Sequence, residues 1–155
     1  MTATAAPSET AEIQAILDKN ITLEGPLLPI LHDVQATFGC VPDAARAPIA
    51  EALNITQAEL HGVISFYHDF RREPAGQHVL KICRAEACQA MGANALSDKV
   101  LSMLGLDWHG TSADGRITVE PVYCLGLCAC GPAAMVNGQV RGRVTAETLV
   151  SEVSA

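Results

Sequence analysis

Cys83-Arg84-Ala85-Glu86-Ala87-Cys88 and Cys124-Leu125-Gly126-Leu127-Cys128 are two short cysteine loops in the C-terminal half of the chain. The two cysteines of each loop are close enough in sequence for their sulfurs to share one metal ion. Each loop also follows an apolar, strand-like run, Val79 to Ile82 and Ile117 to Tyr123. A parallel pairing of those runs brings the loops together at one end of a sheet, and the rest of the chain is read from that junction.

Four thiolates in two pairs suit a diamond of two irons and two sulfides, in which each iron needs two protein sulfurs to complete its tetrahedron. They also suit a single zinc ion, whose knuckles usually place about two to four residues between cysteines, most often two. The gaps here are four and then three residues, less usual for zinc. Spacing leaves both metals open, with a disulfide or unligated thiols as the third reading. A Rieske centre is disfavoured, because it replaces two cysteines by histidines and no Cys-x-His pair occurs.

Composition narrows the class. The chain has 155 residues, enough for one domain or for a small domain with a helical extension. Charged residues make up only 17%, against about 25% in ordinary globular proteins, which suggests that part of the surface is covered by partners. The formal net charge of -7 argues against nucleic acid, whose phosphates call for a basic stripe. Met1 to Pro7 has neither a positive segment nor an apolar core, so no secretory signal is read there. No stretch approaches the roughly 20 apolar residues of a membrane span. Six cysteines without an export signal point to ligands or plain thiols in a reducing compartment, the cytoplasm.

Along the chain, Met1 to Pro7 reads as a frayed tail. Ser8 or Thr10 can cap a first helix with an apolar stripe of Ile13, Ile16 and Leu17, ending near Asn20. A second helix begins around Pro26, presents Leu27, Leu31, Val34 and Phe38, and stops at Gly39. A third carries Ile49, Ala50 and Leu53, and Pro48 fits it only if the helix starts near Ala47 or is kinked. Thr56-Gln57-Ala58-Glu59 has the form of a capping box for a fourth, which runs through Leu60, Val63 and Ile64 and is expected to reach as far as Phe66. The polar stretch Arg71 to Gln77 contains Pro and Gly and marks a boundary, giving a helical domain over 1–75 and a second domain over 76–155. A strand over His78 to Ile82 follows, then a helix over Gln89 to Leu104 ended by Gly105, a loop over Asp107 to Gly115, and the second strand. Asn137-Gly138 is a strong hairpin signal between Ala133 to Val136 and Gln139 to Val140. Thr145 caps a closing helix through Val153.

The pattern Cys-x-x-x-x-Cys followed, after a few tens of residues, by Cys-x-x-x-Cys resembles the thioredoxin-like [2Fe-2S] ferredoxins. Gly62-Val63-Ile64-Ser65-Phe66-Tyr67 resembles a segment that ends the helical part of the same family, so the likeness runs from about residue 12 to the end. The resemblance implies an α+β chain: an N-terminal helical bundle followed by a thioredoxin-like α/β domain. It implies one [2Fe-2S] cluster held by Cys83, Cys88, Cys124 and Cys128. It also implies membership of an NAD-linked oxidoreductase complex, as in respiratory complex I and NAD-reducing hydrogenases.

Cys83-Arg84-Ala85-Glu86-Ala87-Cys88-Gln89-Ala90-Met91-Gly92 and Cys124 to Pro132 resemble the gamma subunits of NAD-dependent formate dehydrogenases more than the complex I subunit. By that likeness FMN, NAD, further clusters and a molybdenum or tungsten pterin belong to partner subunits. The partners are then a flavin- and NAD-binding iron–sulfur subunit and a large formate-oxidising subunit. The cluster of this chain would sit near the FMN.

Around the thiols, a helix after Cys88 is expected to point its positive end at the site. Gly126 and Gly131 are expected to let the second loop wrap with its amides inward, under a partial cover of Leu125, Leu127 and Pro132. Cys130 is read as a non-ligand neighbour and Cys40 as a packing residue. His32, His61, His68, His78 and His109 are read as structural or solvent-facing. Arg71, Arg72, Arg141 and Arg143 are read mainly as solvated pairs. No nucleophile with its base and no dinucleotide fingerprint is present, so the isolated chain is expected to have no substrate site and to pass or hold one electron.

Overall fold

A computed structural model of the chain describes residues 7–154. The expected tail lies outside the described residues except for Pro7, which is the first residue of a helix. The chain divides between Pro74 and Ala75 into two compact units.

The first unit is built from α1 (Pro7–Asn20), α2 (Leu27–Phe38), α3 (Asp43–Ala52) and α4 (Gln57–Phe66). Their apolar stripes meet in one core in which Ile13, Leu17, Ile30, Leu31, Val34, Val41, Ile49, Leu60 and Ile64 are buried. Burying each such side chain stabilises the fold by about 1.5–3 kcal/mol relative to leaving it exposed. Gly39 ends α2 in the left-handed region at φ 75°, and its N–H bonds the Gln35 carbonyl, as a helix stop that favours glycine should. The capping box forms: Thr56 Oγ1 accepts from the Glu59 N–H at 3.2 Å, and Glu59 Oε2 accepts from the Thr56 N–H at 2.8 Å.

Two local expectations are corrected in this unit. Ser8 and Thr10 lie inside α1 and do not cap it, because the helix opens at Pro7, a residue suited to a first turn. Helix α3 starts at Asp43 and contains Pro48 in its interior; the packing of Ala45, Ile49 and Ala50 into the core offsets the lost backbone bond. Phe66 ends α4, as the sequence leads one to expect, with its side chain 74% exposed while Leu60, Val63 and Ile64 face the core.

The second unit runs β1 (His78–Cys83), α5 (Glu86–Ala90), α6 (Ala93–Leu104), β2 (Ile117–Val122), a 3-10 turn (Cys128–Cys130), β3 (Ala133–Val136), β4 (Gln139–Gly142) and α7 (Ala146–Ser154). The sheet order is β2-β1-β3-β4. β1 and β2 are parallel, while β3 is antiparallel to both β1 and β4. Its core holds Leu80, Ile82, Val100, Val119, Ala134, Leu149 and Val153. Asn137 and Gly138 take positive φ of 49° and 81°, the backbone a two-residue hairpin requires. Thr145 caps α7 through its Oγ1, which accepts from the Thr148 N–H at 3.3 Å.

The helix expected over Gln89 to Leu104 is two helices. Gly92 at φ 91° breaks the chain between α5 and α6, and α5 starts at Glu86, before Cys88. Strand β4 continues to Gly142, past the expected end at Val140, because Ala133 and Ala134 pair with Gly142 and Arg141.

Candidate metal centre

The register of the parallel strands positions the thiols. Cys83 is aligned with Val122 at the C-terminal ends of β1 and β2, and the Arg84 N–H continues the pairing to the Val122 carbonyl at 2.8 Å. The first loop therefore leaves the sheet beside the point where the second begins. Cys83 and Cys88 are each only 2% exposed. They share a small apolar nest with Ala93 and Ala133, against which Ala85, Val122, Leu125 and Leu127 pack.

The second loop lies at the surface. Cys124 and Cys128 are exposed, with their sulfurs 3.8 Å apart. The Gly126 N–H points at the Cys124 sulfur over 3.4 Å, with Gly126 at φ 77° and Cys124 itself at φ 107°. A non-glycine residue in that region is strained, and such strain gathers at functional sites. Gly131 departs from expectation. It is in extended backbone at φ -65°, and its role is space, since a Cβ there would lie 3.3 Å from Met91 Cγ.

Electrostatics tie the four sulfurs into one site. Burial opposes ionisation of Cys83 and is the largest influence on it. Hydrogen bonds from the Ala85 N–H, the Cys88 thiol and the N–H groups of Cys124 and Leu125 outweigh it and hold the Cys83 thiol below its ordinary range. Cys88 is pushed up by burial first and then by its bond to Cys83, with the Ala133 N–H opposing, and it also feels the charges of Cys83 and Cys128. Cys128 is pushed up by its bond to Cys124 and by the charge there. A metal bound here would need these thiols deprotonated.

The donor set fits a two-metal sulfur cluster. Amide N–H groups on Cys83, Cys88 and Cys124 are the donors an anionic cluster needs. Among the described residues, no three His, Cys, Asp or Glu side chains converge as a set able to hold one metal ion. All six cysteines are free thiols. The helix-end field expected after Cys88 is missing in that form, because Cys88 lies within the five-residue α5 and the longer α6 starts only at Ala93.

Of the other thiols, Cys130 is half-buried beside the site and Cys40 is buried in the first unit. His78 Nδ1 lies 2.9 Å from the Asn137 amide, and His32 tilts against Phe70 at 5.0 Å between ring centres. Arg141 is engaged by Glu152 at 2.8 Å. Sequence reasoning missed Arg84, whose guanidinium bonds Asn94 Oδ1 at 3.1 Å and lies 5.2 Å over the Trp108 ring. A contact between the first loop and a residue 24 positions later has no periodic or motif signal in the sequence.

Two thiol pairs at one end of a parallel strand pair, with amide donors on the sulfurs, define a protein built around a metal–sulfur centre. The thioredoxin-like [2Fe-2S] ferredoxin pattern matches residues 13–154, and the chain belongs to that family. One [2Fe-2S] cluster is the cofactor of the family. The chain is 37% identical over 114 residues to a subunit of the NADH-quinone oxidoreductase of Pseudomonas aeruginosa, covering 74% of this chain and 69% of the relative. It is 33% identical over 122 residues to the NADP-reducing hydrogenase subunit HndA of Solidesulfovibrio fructosivorans, covering 79% of this chain and 71% of that one. The fold is similar to part of an NAD+-reducing [NiFe]-hydrogenase crystal structure, with a TM-score of 0.66 and 24% identity over 83% of this chain and 22% of that chain.

Proposed function

We propose that this chain is the [2Fe-2S] electron-transfer subunit of an NAD(P)-linked oxidoreductase complex, with Cys83, Cys88, Cys124 and Cys128 as the ligands. The observation that carries the reading is the pairing of the thiols at the aligned ends of β1 and β2. When bound, the cluster supplies one-electron storage and release. The residues of this chain hold it, offer amide donors to its sulfurs and keep Cys83 and Cys88 out of water. Cys124 and Cys128, at the surface, leave the electron a short path out. The zinc reading is disfavoured by the gaps of four and three residues within the two pairs, where zinc knuckles most often place two.

The relatives favour a complex of the NADH-quinone oxidoreductase or NAD(P)-reducing hydrogenase type, with the FMN- and NAD-binding iron–sulfur subunit as neighbour. A second reading, the gamma subunit of an NAD-dependent formate dehydrogenase, rests on the sequence of the two loops. There the further partner is a large formate-oxidising subunit with a molybdenum or tungsten pterin. A reducing, cytoplasmic setting is part of this reading, since it keeps thiols available as ligands, and among the described residues no helix is long and apolar enough to cross a membrane.

The test is to purify the tagged chain anaerobically from its host, identify the chains that come with it, and assay NAD(P)+ reduction by hydrogen and by formate and quinone reduction by NADH. Iron and sulfide at about two each per chain, with a spin-half EPR signal only after reduction, is the expected result. Formate-driven activity with a pterin-containing chain selects the second reading. One zinc, no sulfide and no colour would withdraw the redox function altogether.

A further inference from the structure

The turn that carries Cys128 is flanked by two glycines, and only one of them has no room for an added side chain. On one side Gly131 packs against α5, where a Cβ would lie 3.3 Å from Met91 Cγ and 3.4 Å from Met91 Cβ. Those atoms belong to a flexible side chain and can yield. On the other side is Gly142, the last residue of β4. A Cβ there would lie 2.9 Å from Cys130 Cβ and 3.0 Å from the Cys130 carbonyl oxygen. Neither atom can swing away, because both are fixed by the Cys130 backbone.

Gly142 does not adopt a left-handed φ, so the need for glycine is space and not conformation. Hydrogen bonds lock the contact. The Arg143 N–H donates to the Cys130 carbonyl at 2.7 Å, the Val144 N–H to the Pro132 carbonyl at 3.1 Å, and the Cys130 N–H to the Leu127 carbonyl at 2.8 Å. Cys128 therefore lies in a turn whose far end is fastened to β4. A displacement of Cys130 moves the Cys128 sulfur, which stands 3.8 Å from that of Cys124.

We propose that Gly142 is a positioning residue for the metal centre: by letting the β4 backbone touch Cys130, it fixes the 3-10 turn and with it the Cys128 sulfur. The inference rests on the reading of Cys128 as a ligand. An alanine at this position requires the turn to retreat by about 0.5 Å, from 2.9 Å to the ordinary contact of 3.4 Å or more. A shift of that size alters a ligand's angle without removing the ligand.

The experiment compares the full chain, loaded with iron and sulfide, as wild type, Gly142→Ala, Cys130→Gly, the Cys130→Gly/Gly142→Ala double variant, and Gly62→Ala. The last is a control whose Cβ meets nothing within 4 Å. Gly142→Ala is expected to keep its iron but to change its EPR g-values, visible circular dichroism and midpoint potential. It is also expected to lose iron to a chelator faster by about tenfold, the low end of outer-shell effects at metal sites. Cys130→Gly removes the 2.9 Å contact, so the double variant should recover part of the wild-type behaviour, and Gly62→Ala should match wild type. Spectra, potential and iron loss in Gly142→Ala indistinguishable from wild type overturn the proposal. If Gly142→Ala does not fold, the double variant carries the test: a double variant that folds and holds its iron nearly as Cys130→Gly does is the expected result, and one that fails as Gly142→Ala does overturns the proposal. A wild-type chain that takes up no iron and sulfide instead fails the ligand reading, which separates the two failures.

Discussion

Cys83 and Val122 are the last aligned pair of the parallel β1–β2 ladder. Neighbouring strands stand about 4.8 Å apart, so the chain leaves both strands at one level and within reach of one small object. That register makes neighbours of two cysteine pairs separated by the 35 residues between Cys88 and Cys124. A slip by one residue would turn Cys83 to the other face of the sheet and dissolve the site.

Replacing Cys83 or Cys124 by serine is expected to abolish the native cluster, and Cys130→Ser to leave it assembled. Iron and sulfide analysis with EPR of the reduced protein checks both. The basis is that the Cys83 and Cys88 thiols are hydrogen-bonded to each other, the Cys124 and Cys128 sulfurs stand 3.8 Å apart, and Cys130 joins neither pair among the contacts described. Loss of the cluster spectrum in Cys130→Ser alone would sink this ligand assignment.

Removing the iron is expected to loosen residues 124–130 before anything else in the second unit. Cys83 and Cys88 are packed in an apolar nest, whereas Cys124 and Cys128 are exposed and held by a 3.4 Å amide–sulfur contact and a 3-10 turn whose fastening to β4 lies beyond them, at Cys130. A ligand bound only by the folded form also adds its binding energy to stability. Hydrogen exchange of the chelated and loaded chains should show faster exchange at these residues and a lower melting temperature after chelation. Equal protection in the two states would mean that the loop does not depend on the metal.

The acid limb of the stability of the first unit should depend on Asp33. Its carboxylate accepts from Lys19 and from the buried Asn20, each at 2.8 Å, and these bonds hold it below the usual carboxylate range. A depressed folded value means that the contribution is complete above the unfolded pKa of about 3.9. It then disappears as pH falls through the lower folded value. Asp33→Asn should therefore be less stable than wild type near pH 7, with a gap that closes below about pH 4, and salt should narrow the gap because Lys19 is largely exposed. Denaturant melts across pH measure this, and a gap that stays constant to pH 2 would contradict it.

Legibility in the sequence followed the range of the interactions. Capping by Thr56 and Glu59, the Gly39 stop and the Asn137-Gly138 hairpin are local, and each is present as read. The parallel strands could be expected because two apolar runs led into two thiol pairs. What escaped was tertiary or ambiguous. Gly92 inside a helical pattern gave no sign that it would divide α5 from α6, since an isolated glycine is compatible with an unbroken helix at a cost of about 1 kcal/mol. The closeness of Gly142 to Cys130 and of Arg84 to Trp108 depends on how the sheet closes, which no periodicity encodes.

We propose that the two units are separate domains, and expect a fragment from Ala75 to the end to fold and hold the cluster without the helices. Its start is anchored within the fragment: the Gly76 N–H bonds Thr118 Oγ1 at 2.7 Å, and a Cβ on Gly76 would lie 2.8 Å from the Arg116 backbone. Its core of Leu80, Ile82, Val100, Val119 and Leu149 is drawn entirely from residues of that unit. The four candidate ligands and the N–H groups on their sulfurs belong to it as well. A domain of this size is marginal on its core alone, and a metal is one of the staples that small folds use. The loaded fragment should therefore melt cooperatively while the chelated one is much weaker. Leu80→Ala, which empties a fully buried site at 0% exposure, should cost about 2–5 kcal/mol and unfold the chelated fragment outright. A fragment that stays unfolded even with iron and sulfide supplied would show that the helical residues are needed for the second unit to fold.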